Sequence, residues 1–177
     1  MSKNNTARKS SSNAQTQRKV QQLFVAYEAA HRHPVNKVVS YIATPLLFFG
    51  LFALVWAIPF PHIDFLGQYN GFVNWASFVL AVSVFCYYRL SPVLSYFILF
   101  TYFAFSFFII KLEHWEQAGG PAFHIVPLII TIAGIIAMMI AEGFEQMKPA
   151  TSIRLQNLLI GPLYLWYLIL KPLRLNI

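Results

Sequence analysis

The chain has 177 residues, of which 58% are hydrophobic, 17% aromatic and only 11% charged. A soluble domain of this size carries roughly a quarter charged residues, so the composition excludes an ordinary water-soluble enzyme and favours an integral membrane protein. The net charge of +7 is concentrated in the first 37 residues, which contain seven Lys or Arg and one Glu. This terminal placement argues against nucleic-acid binding, and the single cysteine, Cys86, excludes an internal disulfide.

The N-terminal segment divides into two parts. Residues 1–19 are rich in Ser, Asn, Gln, Lys and Arg, a composition that predicts a disordered basic tail. Residues 20–177 are predicted to form a single membrane domain. Its first element is a short amphipathic helix that ends near Pro34 and lies at the membrane surface. Four side chains of this helix share one face by their spacing: Val20, Phe24, Tyr27 and His31.

Four apolar runs are long enough to cross the hydrocarbon core, which takes about 20 helical residues. They are residues 38–58, 72–88, 93–110 and 125–141. Ser91 and Pro92 are predicted to be the N-cap and the first residue of the third span. A fifth apolar stretch, 155–170, contains Gly161-Pro162, and we expect two pieces that are re-entrant or interfacial.

The fold class that follows is an all-α integral membrane bundle with four transmembrane helices, an interfacial N-terminal helix and a broken C-terminal hydrophobic segment. Lys and Arg flank the first span on its N-terminal side and follow the fourth span. The positive-inside rule therefore predicts that both termini are cytoplasmic. The compact chain favours a bacterial inner membrane over the endoplasmic reticulum.

The sequence contains no Walker loop, GxGxxG unit, GxSxG elbow or HExxH motif, so candidate chemistry depends on His and acidic residues. The predicted topology places five of them on the cytoplasmic face: Glu28, His31, His33, Glu142 and Glu145. Two imidazoles with a carboxylate are a ligand set for non-haem Fe(II). The alternative is that these groups are simply solvated by water and lipid headgroups. A second donor cluster on the outer face, Glu113-His-Trp-Glu116, is also typical of an interfacial belt.

Two segments resemble the end motifs of the 2-hydroxy-fatty-acid dioxygenase family. The opening motif has a Tyr, a His, an Asn five residues later, a second His four residues after that, and then Gly-x-Pro. It is similar to the segment that runs from Tyr27 to Pro45. The closing motif has Gly-His, a Glu and then Pro-Ala, and it is similar to the segment from Glu142 to Ala150. The resemblance covers roughly residues 24–170.

The resemblance implies a small multi-span membrane protein that uses Fe(II) and oxygen to shorten 2-hydroxy fatty acids by one carbon, as fungal members do in the endoplasmic reticulum. Five positions match the family pattern: His31, Asn36, Pro45, Glu145 and Pro149. Three departures stand beside them. Ser40 replaces the second His, Ala43 replaces the Gly, and Ala141-Glu142 occupies the place of the Gly-His pair.

The first functional hypothesis is therefore an iron-dependent dioxygenase that acts on a 2-hydroxy fatty acid or a related membrane lipid. His31, His33 and Glu142 are the predicted metal ligands. Glu145 and Asn36 are the predicted catalytic or ligand-orienting groups. Two basic residues are predicted to hold the substrate carboxylate: Lys148 and Arg154.

The alternative hypothesis is a non-catalytic membrane protein that keeps the family scaffold in a lipid-binding or structural role. A small transporter or channel is the third hypothesis, and it is disfavoured because the spans contain almost no polar residues at mid-membrane.

Overall fold

The computed structural model describes residues 17, 19–65, 67, 73–146 and 151–173. The regular secondary structure of these residues is helical, with no strand among them, which confirms the predicted all-α class. Helix α1 covers residues 19–30. The later helices are α2 Pro34–Trp56, α3 Trp75–Leu90, α4 Pro92–Gln117, α5 Ile125–Glu142 and α6 Thr151–Leu170, followed by a 3₁₀ turn at Lys171–Leu173. The predicted disorder of residues 1–19 falls almost wholly outside the described residues.

Helix α1 is packed against the bundle, and its predicted apolar face is confirmed. The four side chains assigned to that face are buried: Val20, Phe24, Tyr27 and His31. Its partner is α6, where the Tyr164 ring lies 5.5 Å from that of Phe24 and 4.6 Å from that of Tyr27. The Tyr164 hydroxyl also donates to the Glu28 carboxylate at 2.7 Å. These contacts fix α1 on the bundle and make it part of the domain core.

Helix α2 begins four residues before the predicted span. Pro34 is its first residue, and His33 is the N-cap. Proline suits this position because its missing N–H would have no partner in the first turn anyway. The hydropathy pattern did not predict the first turn of α2 because it contains the polar residues Asn36 and Lys37, although both are helical.

Helices α2 and α5 run antiparallel and form the closest helix pair of the bundle. Small residues bring their backbones together, as is common between membrane helices. A Cβ atom added at Gly50 would collide with Thr131 Oγ1. One turn away, a Cβ atom at Gly134 would lie 3.4 Å from that of Leu47, an ordinary van der Waals contact. This register sets the start of α2 beside the end of α5.

Helices α3 and α4 form an antiparallel hairpin around the predicted turn. The Ser91 side chain accepts from the backbone N–H of Leu94 at 3.3 Å, and Pro92 opens α4, so the predicted N-cap and first residue are confirmed. Helix α4 extends seven residues past the predicted end at 110, because the polar segment that follows stays helical. It ends where Gly119 adopts a φ of +94°, a conformation that favours glycine.

Helix α6 is continuous through Pro162, so the prediction of two separate pieces was wrong. Gly161 lets α6 pack closely against α2, because a Cβ atom at this position would lie 2.8 Å from Thr44 Cγ2. This packing explains why the segment stays helical. Among the described residues, four helices are long and apolar enough to cross a membrane: α2, α4, α5 and residues 153–170 of α6. Helix α3, a predicted span, has 16 residues and is shorter.

The hydrogen bonds of α6 lie in one half of the bundle. Arg154 pairs with Glu142 at the end of α5, and the Leu159 carbonyl accepts from Tyr87 near the end of α3. Further along, Trp166 Nε1 donates to Thr101 Oγ1 in the first half of α4, at 2.9 Å. These groups belong to the end of the bundle where α2 begins. The predicted re-entrant or interfacial placement of 155–170 stays a prediction.

Substitution of Gly50 by Ala tests the α2–α5 contact. The added methyl group would force Thr131 Oγ1 away from the Pro127 carbonyl, to which it donates at 2.8 Å. Overpacking of this kind costs ~1–3 kcal/mol. We expect a lower midpoint of thermal unfolding for the detergent-solubilised protein, measured by circular dichroism.

Gly134→Ala is the matched control, because it adds the same methyl group to the same helix pair at an ordinary contact distance. Removal of a helical glycine stabilises by roughly 0.5–1 kcal/mol, so the midpoint should stay unchanged or rise. Equal effects of the two substitutions would contradict this register of α2 against α5.

Candidate functional site

The two motif segments meet through a carboxylate. Glu145, three residues after the end of α5, accepts hydrogen bonds at Oε1 from Asn36 Nδ2 and from the backbone N–H of His33, both at 2.9 Å. Asn36 Oδ1 in turn accepts from the Ser40 hydroxyl at 3.2 Å. Asn36 and Ser40 are each 1% exposed. We call these four residues, His33, Asn36, Ser40 and Glu145, the inner polar cluster.

Hydrogen bonding keeps Glu145 ionised. Desolvation by burial acts to raise its pKa, but the donors in the inner polar cluster, the Arg32 backbone N–H and the electrostatic effect of the His31 imidazole together hold the pKa below its ordinary value of 4.5. A carboxylate that accepts several N–H groups is stabilised in its charged form. At neutral pH Glu145 is therefore an acceptor, already engaged by the groups that join α1 to α2.

His31 directly follows the last residue of α1. Its Nδ1 donates to the Tyr27 carbonyl at 2.8 Å, and its ring stacks on the Tyr27 ring with centroids 4.2 Å apart. A carbonyl oxygen can only accept, so Nδ1 carries a proton and Nε2 remains the nitrogen with a free lone pair in neutral His31. The imidazole is 6% exposed. These contacts fix the orientation of His31 within the core.

His33 has a structural contact on its ring nitrogen. The Val35 backbone N–H donates to His33 Nδ1 at 3.3 Å, which caps the first turn of α2. The ring also stacks with the Phe144 ring at 5.4 Å. The lone pair of Nδ1 is thus directed into the helix, and the backbone of His33, rather than its imidazole, contacts Glu145.

Glu142 and Arg154 bind one another. Arg154 Nε lies 3.0 Å from Glu142 Oε2, across the gap between the end of α5 and the start of α6. The predicted metal ligand and the predicted substrate-binding cation are therefore an ion pair that joins two helices. Lys148, the other predicted substrate-binding residue, lies outside the described residues.

The predicted ligand set does not assemble into an iron centre among the residues that the structure describes. No group of three or more His, Cys, Asp or Glu lies close enough to hold a metal ion in that part of the chain. The donors are occupied instead, because His33 Nδ1 caps α2, Glu145 binds Asn36 and Glu142 binds Arg154. These contacts already use several of the predicted donors, and the roles of His31, His33 and Glu142 as ligands stay predictions.

A carboxylate of the predicted outer donor cluster, Glu113, also makes a contact between helices. Trp56 Nε1, at the end of α2, donates to Glu113 Oε1 of α4 at 2.9 Å. Glu116 and His114 are exposed on the last turns of α4. This hydrogen bond joins α2 to α4 at the end of the bundle opposite the inner polar cluster. Glu113 therefore has a role in helix packing.

An apolar cavity of about 260 Å³ lies between α2, α3, α4 and α6, which we call the inner cavity. Tyr41 lines it, and the Tyr41 ring is 6.4 Å from that of Tyr164, which contacts Tyr27. A chain of aromatic rings thus links the inner cavity to His31. Sequence reasoning missed Tyr41 and Tyr164 because the family pattern specifies neither residue and no local spacing shows that their rings meet.

Two buried hydroxyls lie close to this chain of rings. Within the described part of the protein, neither Tyr27 Oη nor Thr44 Oγ1 makes a well-formed hydrogen bond. The two hydroxyls are nevertheless near each other, since the Thr44 hydroxyl acts to lower the pKa of Tyr27. Burial raises the pKa of Tyr27 to about 12, so its phenol stays neutral and retains its proton at physiological pH. A buried polar group without a partner is costly, so these hydroxyls are suited to bind a water molecule or an oxygen-bearing ligand.

The lowered pKa of Glu145 predicts a loss of stability in acid. A carboxyl whose folded-state pKa is below its unfolded value stabilises the fold above the unfolded value, and this contribution is lost as the pH falls through the folded value. The unfolding midpoint of the detergent-solubilised protein should therefore fall as the pH is lowered below about 4.5.

Glu145→Gln provides the comparison, since glutamine has nearly the same shape but does not titrate in this range. Its stability should be lower at pH 7 and should depend less on pH in the acid range than that of the wild type. Parallel pH profiles for the two proteins would show that the inner polar cluster does not depend on the charge of Glu145.

The comparisons with known proteins agree with the motif resemblance. The chain matches the family described as Mpo1-like, 2-hydroxy-palmitic acid dioxygenase Mpo1-like, over residues 17–173. Neither a curated protein nor a solved structure matches it. The match covers almost the whole chain, including both segments that meet at Glu145. The chain therefore belongs to the 2-hydroxy-palmitic acid dioxygenase Mpo1-like family.

Proposed function

We propose that the protein binds a 2-hydroxy fatty acid, or a related single-chain lipid, within the membrane. The family description names a 2-hydroxy fatty acid as the substrate of its namesake. The observation that carries the proposal for this chain is the inner cavity, an apolar space that opens beside the buried residues of the opening motif. Apolar cavities with a few polar groups at one end are typical of ligand sites.

The inner cavity suits an acyl chain. Its walls are aromatic and aliphatic side chains from four helices, among them Phe48, Phe105 and Leu165. Polar atoms are few, and two of them are already satisfied, because Tyr87 donates to the Leu159 carbonyl and Thr101 accepts from Trp166. An alkyl chain therefore loses no hydrogen bond on entering, and its burial away from water is favourable by about 25 cal/mol per Å² of apolar surface.

The oxygen-bearing end of such a lipid is best matched by the buried hydroxyls. Thr44 precedes the cavity-lining Pro45 in α2, and Tyr27 stacks on His31. Neither hydroxyl makes a well-formed hydrogen bond among the described residues, and the two lie near each other, so together they can donate to a carboxylate or a 2-hydroxyl oxygen. The charge of the carboxylate is then balanced by the basic residues around this end of the bundle, for which Lys148 and Arg154 stay the predicted candidates.

Iron-dependent dioxygenation is the second candidate function, and the family match and the presence of His31 favour it. Bound Fe(II) would supply the activation of oxygen. We rank it below lipid binding for two reasons. Ser40 occupies the position of the second histidine of the motif, and it donates to Asn36. The carboxylates of Glu145 and Glu142 are bound to Asn36 and Arg154. We further propose that both termini are cytoplasmic, in a bacterial inner membrane.

Leu165→Trp tests lipid binding. The larger side chain fills part of the inner cavity, so we expect the affinity for 2-hydroxypalmitate to fall at least about tenfold, a cost of ~1.4 kcal/mol. Binding is measured by native mass spectrometry of the detergent-solubilised protein at several ligand concentrations.

The matched control is Leu159→Trp, on the same helix, where the side chain is 54% exposed and does not line the cavity. It should bind 2-hydroxypalmitate like the wild type. If both variants keep wild-type affinity, or if the wild type shows no binding, the inner cavity is not a fatty-acid site.

Iron content separates the two candidate functions. The protein is purified without oxygen, loaded with Fe(II), desalted and analysed by metal emission spectroscopy, with His31→Ala treated in parallel. We expect less than stoichiometric iron in both samples, because the described donors do not converge. Stoichiometric iron in the wild type that is lost in His31→Ala, with release of a fatty acid one carbon shorter, would establish the dioxygenase instead.

A further inference from the structure

A second apolar groove lies at the opposite end of the bundle. Helix α5 packs mainly against α2 and leaves a space of about 530 Å³ between itself, α2 and α4, which we call the outer groove. Its lining comes from all three helices and includes Leu46, Phe49, Ala104, Phe108, Val126 and Ile130. It is more than an internal void, since Leu46 is 47% and Phe108 57% exposed. The outer groove is therefore open along one side to the surrounding lipid.

One cationic side chain, Lys111, lies at the rim of the outer groove. Lys111 lines it and is the only Lys or Arg between Arg89 and Lys148. It lies on the same face of α4 as Ala104, Phe108 and Trp115, which are seven and three residues before it and four after it. Its Nζ is 5.5 Å from the centre of the Phe107 ring, and it makes no ion pair within the described residues.

The nearby carboxylates do not neutralise Lys111. Glu113 is two residues further on, so it projects from a different side of α4, and its carboxylate accepts from Trp56. Glu116 is five residues further on, roughly 140° around the helix from Lys111 at about 100° per residue. The apolar groove thus ends at an uncompensated positive charge, close to Trp115, a residue type that marks the membrane interface.

We propose that the outer groove binds one acyl chain of an anionic phospholipid, with the Lys111 ammonium on the lipid phosphate. The open side of the groove lets the second acyl chain stay in the bilayer, which favours a two-chain lipid over a free fatty acid. The position of the cation at the rim favours a net negative headgroup over a zwitterionic one. The outer groove adjoins the inner cavity at Pro45 and Phe105, which line both, but its open side and its cation lie elsewhere, so the assignment does not depend on the proposed function.

Native mass spectrometry of the full-length protein tests this assignment. Protein extracted from nanodiscs with equal parts of phosphatidylglycerol and phosphatidylcholine should retain one phosphatidylglycerol in preference. Lys111→Gln should lower that preference about fivefold, which corresponds to ~1 kcal/mol per lysine near an anionic lipid. Ala104→Trp, which fills the groove, should reduce retention of both lipids.

Lys171→Gln is the control, because Lys171 lies over the Tyr167 ring at the end of α6, away from the outer groove. It should retain phosphatidylglycerol like the wild type. An unchanged preference in Lys111→Gln, with the variant folded by circular dichroism, would overturn the proposal. Retention of added palmitate in place of phosphatidylglycerol would overturn it as well. Neither result bears on 2-hydroxypalmitate binding in the inner cavity, which Leu165→Trp tests separately.

Discussion

The antiparallel packing of α2 on α5 is the constraint on which the rest of the site depends. Glycine at positions 50 and 134 lets the two backbones approach, and the register that results places the first turn of α2 beside the residues after α5. Only in this register can Asn36 reach Glu145, 109 residues away in the chain. In a membrane, where apolar surface gives little preference for one helix neighbour over another, close packing of small residues selects the partner.

The same constraint accounts for how the polar residues at the inner end are used. Each of the groups that resembles a metal ligand also makes a contact that holds the fold together. His31 is bonded to α1, His33 caps α2, and Glu142 holds Arg154 of α6. Burial makes such bonds necessary, because a polar group without a partner in a low-dielectric interior costs more than one in water. In this chain these donors thus take part in helix packing.

The two apolar spaces differ in the chemistry at their ends. The inner cavity lies between four helices and is linked by aromatic rings to neutral, buried hydroxyls. The outer groove is open on one side and ends at a lysine without an ion pair among the described residues. A buried neutral end suits a single-chain lipid whose oxygens need hydrogen bonds, whereas an exposed charged end suits a lipid headgroup. The two spaces that we propose as lipid sites therefore differ in the lipid that each would select.

The sequence by itself determined the membrane class, the buried face of α1, the turn at Ser91-Pro92 and the family, since these follow from local composition and spacing. It predicted the residues at the inner end but not their partners, because hydrogen bonds such as Asn36 to Glu145 join segments whose contact no local pattern encodes. It also misjudged α6, where Gly161-Pro162 indicated a break. Only tertiary structure decided that segment, because the glycine packs against Thr44 and the surrounding helices hold the turn together.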